Sequence, residues 1–90
     1  MIEKQYIILA PDGLHARPAT ALVRFVRQFS STFQLEKEGR AIPLDSLLAI
    51  LSLGAKGGDT LTFRIKGEDE EKAAEALDKF FEQQINTAHK

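Results

Sequence analysis

TLTFRIK (Thr60–Lys66) alternates without a break. Leu61, Phe63 and Ile65 fall on one side of an extended chain, and Thr60, Thr62, Arg64 and Lys66 on the other. Successive side chains of a strand point to opposite faces, so the run describes a strand with one apolar face and one polar face. Such a strand belongs to an antiparallel sheet, packed on one side and wet on the other. A parallel sheet, covered on both sides, would read as a continuous apolar run. Working outward, TFQLEK (Thr32–Lys37) repeats the pattern with Phe33 and Leu35 inward. Glu38–Arg40 makes a hairpin tip, and AIPL (Ala41–Leu44) returns as a strand that Pro43 confines to an edge. KQYIILA (Lys4–Ala10) is β-rich and is closed by the turn residues Pro11, Asp12 and Gly13.

Elsewhere the period lengthens. Leu22, Phe25, Val26 and Phe29 follow helical spacing, and Pro18 suits the first turn of that helix, where no backbone N–H is required. Asp45 and Ser46 are alternative N-caps for LLAILSL (Leu47–Leu53), which Gly54 ends. GEDEEKAAEALDKFFEQQI (Gly67–Ile85) opens with acids, as helix starts prefer, and carries the stripe Ala73, Ala74, Leu77, Phe80, Phe81. The order is β-α-β-β-α-β-α. It predicts an α+β open-faced β-sandwich: a four-stranded antiparallel sheet covered on one face by three helices. Residues 1–90 read as a single domain, with 86–90 expected to fray.

Composition narrows the function. Ninety residues allow one modest core, and a net charge of −1 gives no overall field for nucleic acid or an acidic membrane. The chain has no cysteine, hence no disulfide or thiolate chemistry, and its two histidines are too few for a metal site. No apolar stretch approaches the roughly 18 residues of a membrane span. MIEKQYII (Met1–Ile8) lacks the basic start and apolar run of a secretory leader. A cytoplasmic protein without metal or cofactor is expected.

DGLHARPAT (Asp12–Thr20) carries the chemistry. His15 lies just before helical periodicity begins, near the free N–H groups of a helix N-terminus, which suits anions. Neutral imidazole keeps a free lone pair near neutral pH and attacks phosphorus without a separate base. Arg17 and the helix N–H groups would hold the charged product. Gly13 permits a tight approach and Pro18 stiffens the first turn. The competing reading is a surface histidine that merely caps a helix. With no cysteine and one other histidine, His89 in the tail, no hydrolytic triad can be assembled, so any chemistry at His15 is that of an acceptor.

Two helix faces stand out. Arg17, Thr20, Arg24 and Arg27 share a face opposite the apolar stripe, as either an acidic-partner surface or a solvated face. In LLAILSL, Ile50 and Leu53 are assigned to the core, which groups Leu47, Leu48 and Leu51 outside as a partner patch unless a neighbouring element covers them.

GLHARPAT (Gly13–Thr20) resembles the active-site motif of the HPr family, the histidine-containing phosphocarriers of the bacterial sugar phosphotransferase system. LDSLLAILSLGAKGGD (Leu44–Asp59) is similar to the family's regulatory-serine helix and following loop, and the element order is the family's own. The resemblance implies that His15 accepts a phosphoryl group on Nδ1 from phosphorylated enzyme I, charged by phosphoenolpyruvate. His15 would pass it to a histidine of a sugar-specific IIA domain. It implies Arg17 as the phosphoryl contact, with Asp12, Gly13, Ala16 and Pro18 supporting the motif. Thr20, Arg24, Arg27, Leu47, Leu48 and Leu51 would dock both partners. The chain would then be a monomeric carrier rather than a self-sufficient enzyme.

Ser46 falls on the family's regulatory serine, a substrate of HPr kinase/phosphorylase whose product binds the catabolite-control repressor; the alternative is an N-cap and no more. Asp12 stands where the family commonly has Asn, Ser or Thr, and Asp45 where many members have lysine. Two other functions fit the sequence less closely: a regulatory paralogue of the nitrogen branch or of catabolite signalling, and an unrelated RNA-binding module, which the −1 charge disfavours.

Overall fold

In the computed structural model, which describes residues 1–86, four strands form one antiparallel sheet in the order β1-β4-β2-β3. They are β1 (Ile2–Ile7), β2 (Thr32–Lys37), β3 (Arg40–Pro43) and β4 (Thr60–Lys66). The alternating run Thr60–Lys66 is thus a central strand, set opposite β1 through Tyr6↔Leu61 and opposite β2 through Leu35↔Phe63. Leu35, Leu61, Phe63 and Ile65 have no exposed surface. Burying each such side chain contributes about 1.5–3 kcal/mol. On the polar face Arg64 bridges to Glu3 of β1 and Glu36 of β2, one carboxylate on each neighbouring strand.

Helices α1 (Ala16–Val26), α2 (Leu47–Ser52) and α3 (Glu70–Phe80) lie over the apolar face, so the architecture is the α+β open-faced sandwich expected. The expected stripes face inward: Leu22, Phe25 and Val26 of α1 are buried, as are Ala73, Ala74, Leu77 and Phe80 of α3. Ser46 caps α2, its Oγ accepting from the Ala49 N–H at 3.2 Å. Gly54 ends it at φ +62°, a conformation that costs glycine little. Glu38 and Gly39 form the hairpin tip with φ of 50° and 84°, which sets the right-handed twist between β2 and β3. β3 is an edge strand, as Pro43 requires.

Four details depart from the sequence reading. β1 starts at Ile2 rather than Lys4 and loses regular pairing after Ile7, because the chain must turn at Ala10–Gly13 (Gly13 N–H to Ala10 carbonyl, 3.0 Å). α1 stops at Val26, and Phe29 reaches its aromatic neighbours Phe25 and Phe33 from the turn beyond. The acids opening α3 tie down other segments. Asp69 accepts from the Ser31 hydroxyl and from the Ser30 and Ser31 N–H groups, and these bonds, the hydroxyl foremost, hold its carboxyl below the ordinary range. Finally, α3 widens into a π-helical turn, Phe81–Ile85, which keeps Phe81 and Ile85 in the core. Of the stretch expected to fray, Asn86 is hydrogen-bonded to the end of β1, and 87–90, with His89, lie outside the described residues.

Candidate functional site

The loop that carries His15 rests on the loop before β4. Gly13 has φ +65°, and a β-carbon there would overlap the Ala55 carbonyl oxygen. That same carbonyl accepts from the Leu14 N–H at 3.1 Å, and Leu14 is buried. Gly57 packs close from the other side, though less tightly: a β-carbon on it would stand 2.9 Å from the Ala10 carbonyl oxygen. Two glycines therefore let two backbones touch.

His15 is the N-cap of α1. Its backbone is extended (φ −86°, ψ −170°), its carbonyl accepts the first helical bond from Ala19 at 3.0 Å, and its ring makes no cap bond. The residue is exposed. Pro18 stands third in the helix, so the first turn offers the N–H groups of Ala16 and Arg17 and no others. No acidic residue occupies that turn, and the positive end of the helix dipole is left for an external anion. His15, Arg17, Pro18, Ala10 and Gly13 line a depression of about 330 Å³ whose remaining wall includes Gln84 and Ile85 from the π-helical turn. Asp12 is exposed and does not line it.

The residues assigned to docking lie on two neighbouring helices, α1 and α2, which pack against each other. Arg17, Arg24 and Arg27 are exposed, and among the described residues none of them has a salt bridge. Thr20 is half-buried and spends its hydroxyl on the Ala16 carbonyl at 2.7 Å. The patch on α2 is narrower than the sequence reading has it. Leu48 is 79% exposed, but Leu47 and Leu51 are half-buried against the core. A six-residue helix lying close to α1 and β3 leaves Leu48 as its one exposed large apolar side chain. Ile50 and Leu53 are buried, as expected. Ser46 is half-buried at the start of α2, and Asp45 is exposed beside it.

Sequence reasoning missed Gly57, Gln84 and Ile85 as parts of this region. Ile85 follows Phe81 at i+4 and could have been read as a continuing stripe, but nothing local shows that the stripe ends beside His15. Among the described residues no group of three or more His, Asp or Glu side chains is placed to hold a metal ion, and no helix is long and apolar enough to cross a membrane.

The fold and site together define an open-faced sandwich with an exposed histidine at the positive end of its first helix. The model of the phosphotransferase-system HPr component phosphorylation site matches residues 2–83, and the chain belongs to the HPr family. It is 37% identical over 84 residues to the HPr-like protein Crh of Halalkalibacterium halodurans, covering 93% of this chain and all of that protein. It is 39% identical over 77 residues to the phosphocarrier protein HPr of Lysinibacillus sphaericus, covering 86% of this chain and 88% of that one. The crystal structure of HPr-C-His from Thermoanaerobacter tengcongensis superposes with a TM-score of 0.89 at 34% identity, over 99% of this chain and all of that one.

Proposed function

We propose that His15 takes a phosphoryl group from phosphorylated enzyme I, which draws it from phosphoenolpyruvate, and hands it to a histidine on a sugar-specific IIA domain. One observation carries this reading: His15 is the exposed N-cap residue of α1, and its ring makes no cap bond, at a helix start that has no acid of its own. In the forward step the Nδ1 lone pair forms a bond to phosphorus as phosphorus leaves the donor. In the return step a ring nitrogen of the IIA histidine bonds to phosphorus as the P–N bond to His15 breaks and its electron pair goes back to the His15 ring. The product, close to doubly negative at neutral pH, meets the N–H groups of Ala16 and Arg17 and the Arg17 guanidinium. The protein does this in the cytoplasm as a monomer.

The exposed Leu48 and the exposed arginines Arg24 and Arg27 support a docking surface of apolar centre and basic rim on α1 and α2. Ser46 lies at its margin. A phosphate there would bring a charge of about −1.5 to −2 to the patch, at a helix N-terminus that tolerates it.

A second reading, a signalling paralogue modified at Ser46 by HPr kinase/phosphorylase and read by the catabolite-control repressor, is favoured by the full-length match to an HPr-like Crh protein. Complementation separates the two. A carrier restores sugar uptake to a strain lacking its own HPr, and its His15→Ala variant does not. A signalling paralogue fails to restore uptake yet is labelled at Ser46 by ATP and the kinase. Failure of both assays would overturn both readings.

A further inference from the structure

Ile7, Ile8 and Leu9 lead from β1 into the loop that carries His15. Apolar burial holds this segment only in part: Ile8 is fully buried, but Ile7 is 55% and Leu9 70% exposed. Its backbone is held from both sides instead. Toward β4, the Ile8 N–H donates to the Asp59 carbonyl at 2.9 Å, and the Ile8 carbonyl accepts from Gly58 at 2.7 Å. Toward the other edge β1 has no strand partner among the described residues. There the side chain of Asn86 takes the place of one. Its Oδ1 accepts from the Leu9 N–H at 2.7 Å, and its Nδ2 donates to the Ile7 carbonyl at 2.7 Å. A single amide therefore satisfies the donor and acceptor that a neighbouring strand would have met.

Asn86 is held in that place by its own backbone, whose N–H donates to the Phe81 carbonyl at 2.6 Å and closes the π-helical turn. The two residues before it, Gln84 and Ile85, form one wall of the His15 depression. Ala10, next after Leu9, lines the same depression and accepts the Gly13 N–H that starts the His15 loop. The two Asn86 bonds thus join the strand leading to His15 to the turn that faces it. They set the distance between the two walls of the depression.

We infer that Asn86 is a positioning residue for phosphoryl transfer at His15. It touches neither the ring nor the phosphate; its amide fixes where the His15 loop stands relative to Gln84 and Ile85. This inference rests on the carrier reading of His15. It goes beyond that reading by adding a residue that no part of the His15 motif contains. Because misplacement of a reacting group by about 1 Å costs on the order of 100-fold, losing the clamp should slow transfer without weakening partner docking on α1 and α2.

The test is Asn86→Ala in the full chain, assayed as a substrate of enzyme I with phosphoenolpyruvate, beside amide hydrogen exchange. The expected result is a kcat about tenfold lower with KM unchanged. Exchange should quicken at Leu9 but not at Phe63 in the central strand. Asn86→Asp keeps the acceptor, so it should keep Leu9 protected. A kcat within twofold of the parent would overturn the inference, as would a loss accompanied by faster exchange throughout β4. If the parent protein itself takes no phosphate from enzyme I, the carrier reading fails separately. The clamp is then decided by the Leu9 amide and the His15 ring resonances: changes in Asn86→Ala uphold it, and unchanged signals overturn it.

Discussion

The Leu14 N–H donates to the Ala55 carbonyl at 3.1 Å, and Gly13 lies so close to the same carbonyl that a β-carbon would overlap it. The residues before His15 are therefore seated on another loop's backbone, and the seat exists only because position 13 has no side chain. Gly13→Ala should cost about 1–3 kcal/mol, from the left-handed φ and the overlap together. Gly39→Ala is the control, since position 39 has φ +84° but open space around it. Thermal unfolding of both should show a larger loss for Gly13→Ala, at about 4–8 °C of Tm per kcal/mol in a domain this size. Equal losses would mean that the Ala55 contact is loose.

Asp12 occupies the turn that Gly13 closes, is exposed, and is the one acid in the His15 motif. Exposed charges a few ångströms apart interact by about 1 kcal/mol or less. Asp12→Asn should therefore quicken phosphorylation of His15, by up to about fivefold, in a stopped-time labelling assay. Slower labelling would assign Asp12 a helpful role in holding the turn or the ring.

Leu48 is the exposed member of the apolar patch on α2. Truncating a side chain that buries so little should leave stability within about 0.5 kcal/mol. At a docking surface the same truncation costs about 1 kcal/mol or more, so Leu48→Ala should raise the KM of enzyme I for this protein roughly fivefold. An unchanged KM would place the contact surface elsewhere.

Asp69 joins the start of α3 to Ser30 and Ser31, and its carboxyl sits below the ordinary range because the charged form accepts those bonds. A depressed folded-state pKa stabilises above the ordinary carboxylate value, and that stability is lost as pH falls through the lower, folded one. Asp69→Ala should thus lower Tm by several degrees at pH 7, and the gap should close in acid, below about pH 4. A gap that stays constant from pH 7 to pH 2 would contradict this account of the bond.

What the sequence made legible was local. Alternation in Thr60–Lys66 and Thr32–Lys37 reports burial because each strand has one dry face. Ser46 and Gly54 mark the ends of α2 because caps act within a few residues. The His15 motif was readable for the same reason: Gly13, Arg17 and Pro18 are its neighbours in the chain. The rest of the region is distant in sequence. Gly57 meets Ala10, Gln84 and Ile85 face His15, and Asn86 reaches Ile7 and Leu9, contacts that leave no period or spacing to recognise. Leu47 and Leu51 were over-read as exposed because spacing along a short helix says nothing of how closely α1 and β3 approach it.

His15 is the proposed phosphoryl acceptor. The direct measurement is incubation of the protein and of His15→Ala with phosphoenolpyruvate and enzyme I, followed by quantitation of acid-labile phosphate. About one phosphoryl group per chain is expected on the parent protein and none on the variant. Acid-labile label that persists on His15→Ala, or a parent protein that takes none, would contradict it.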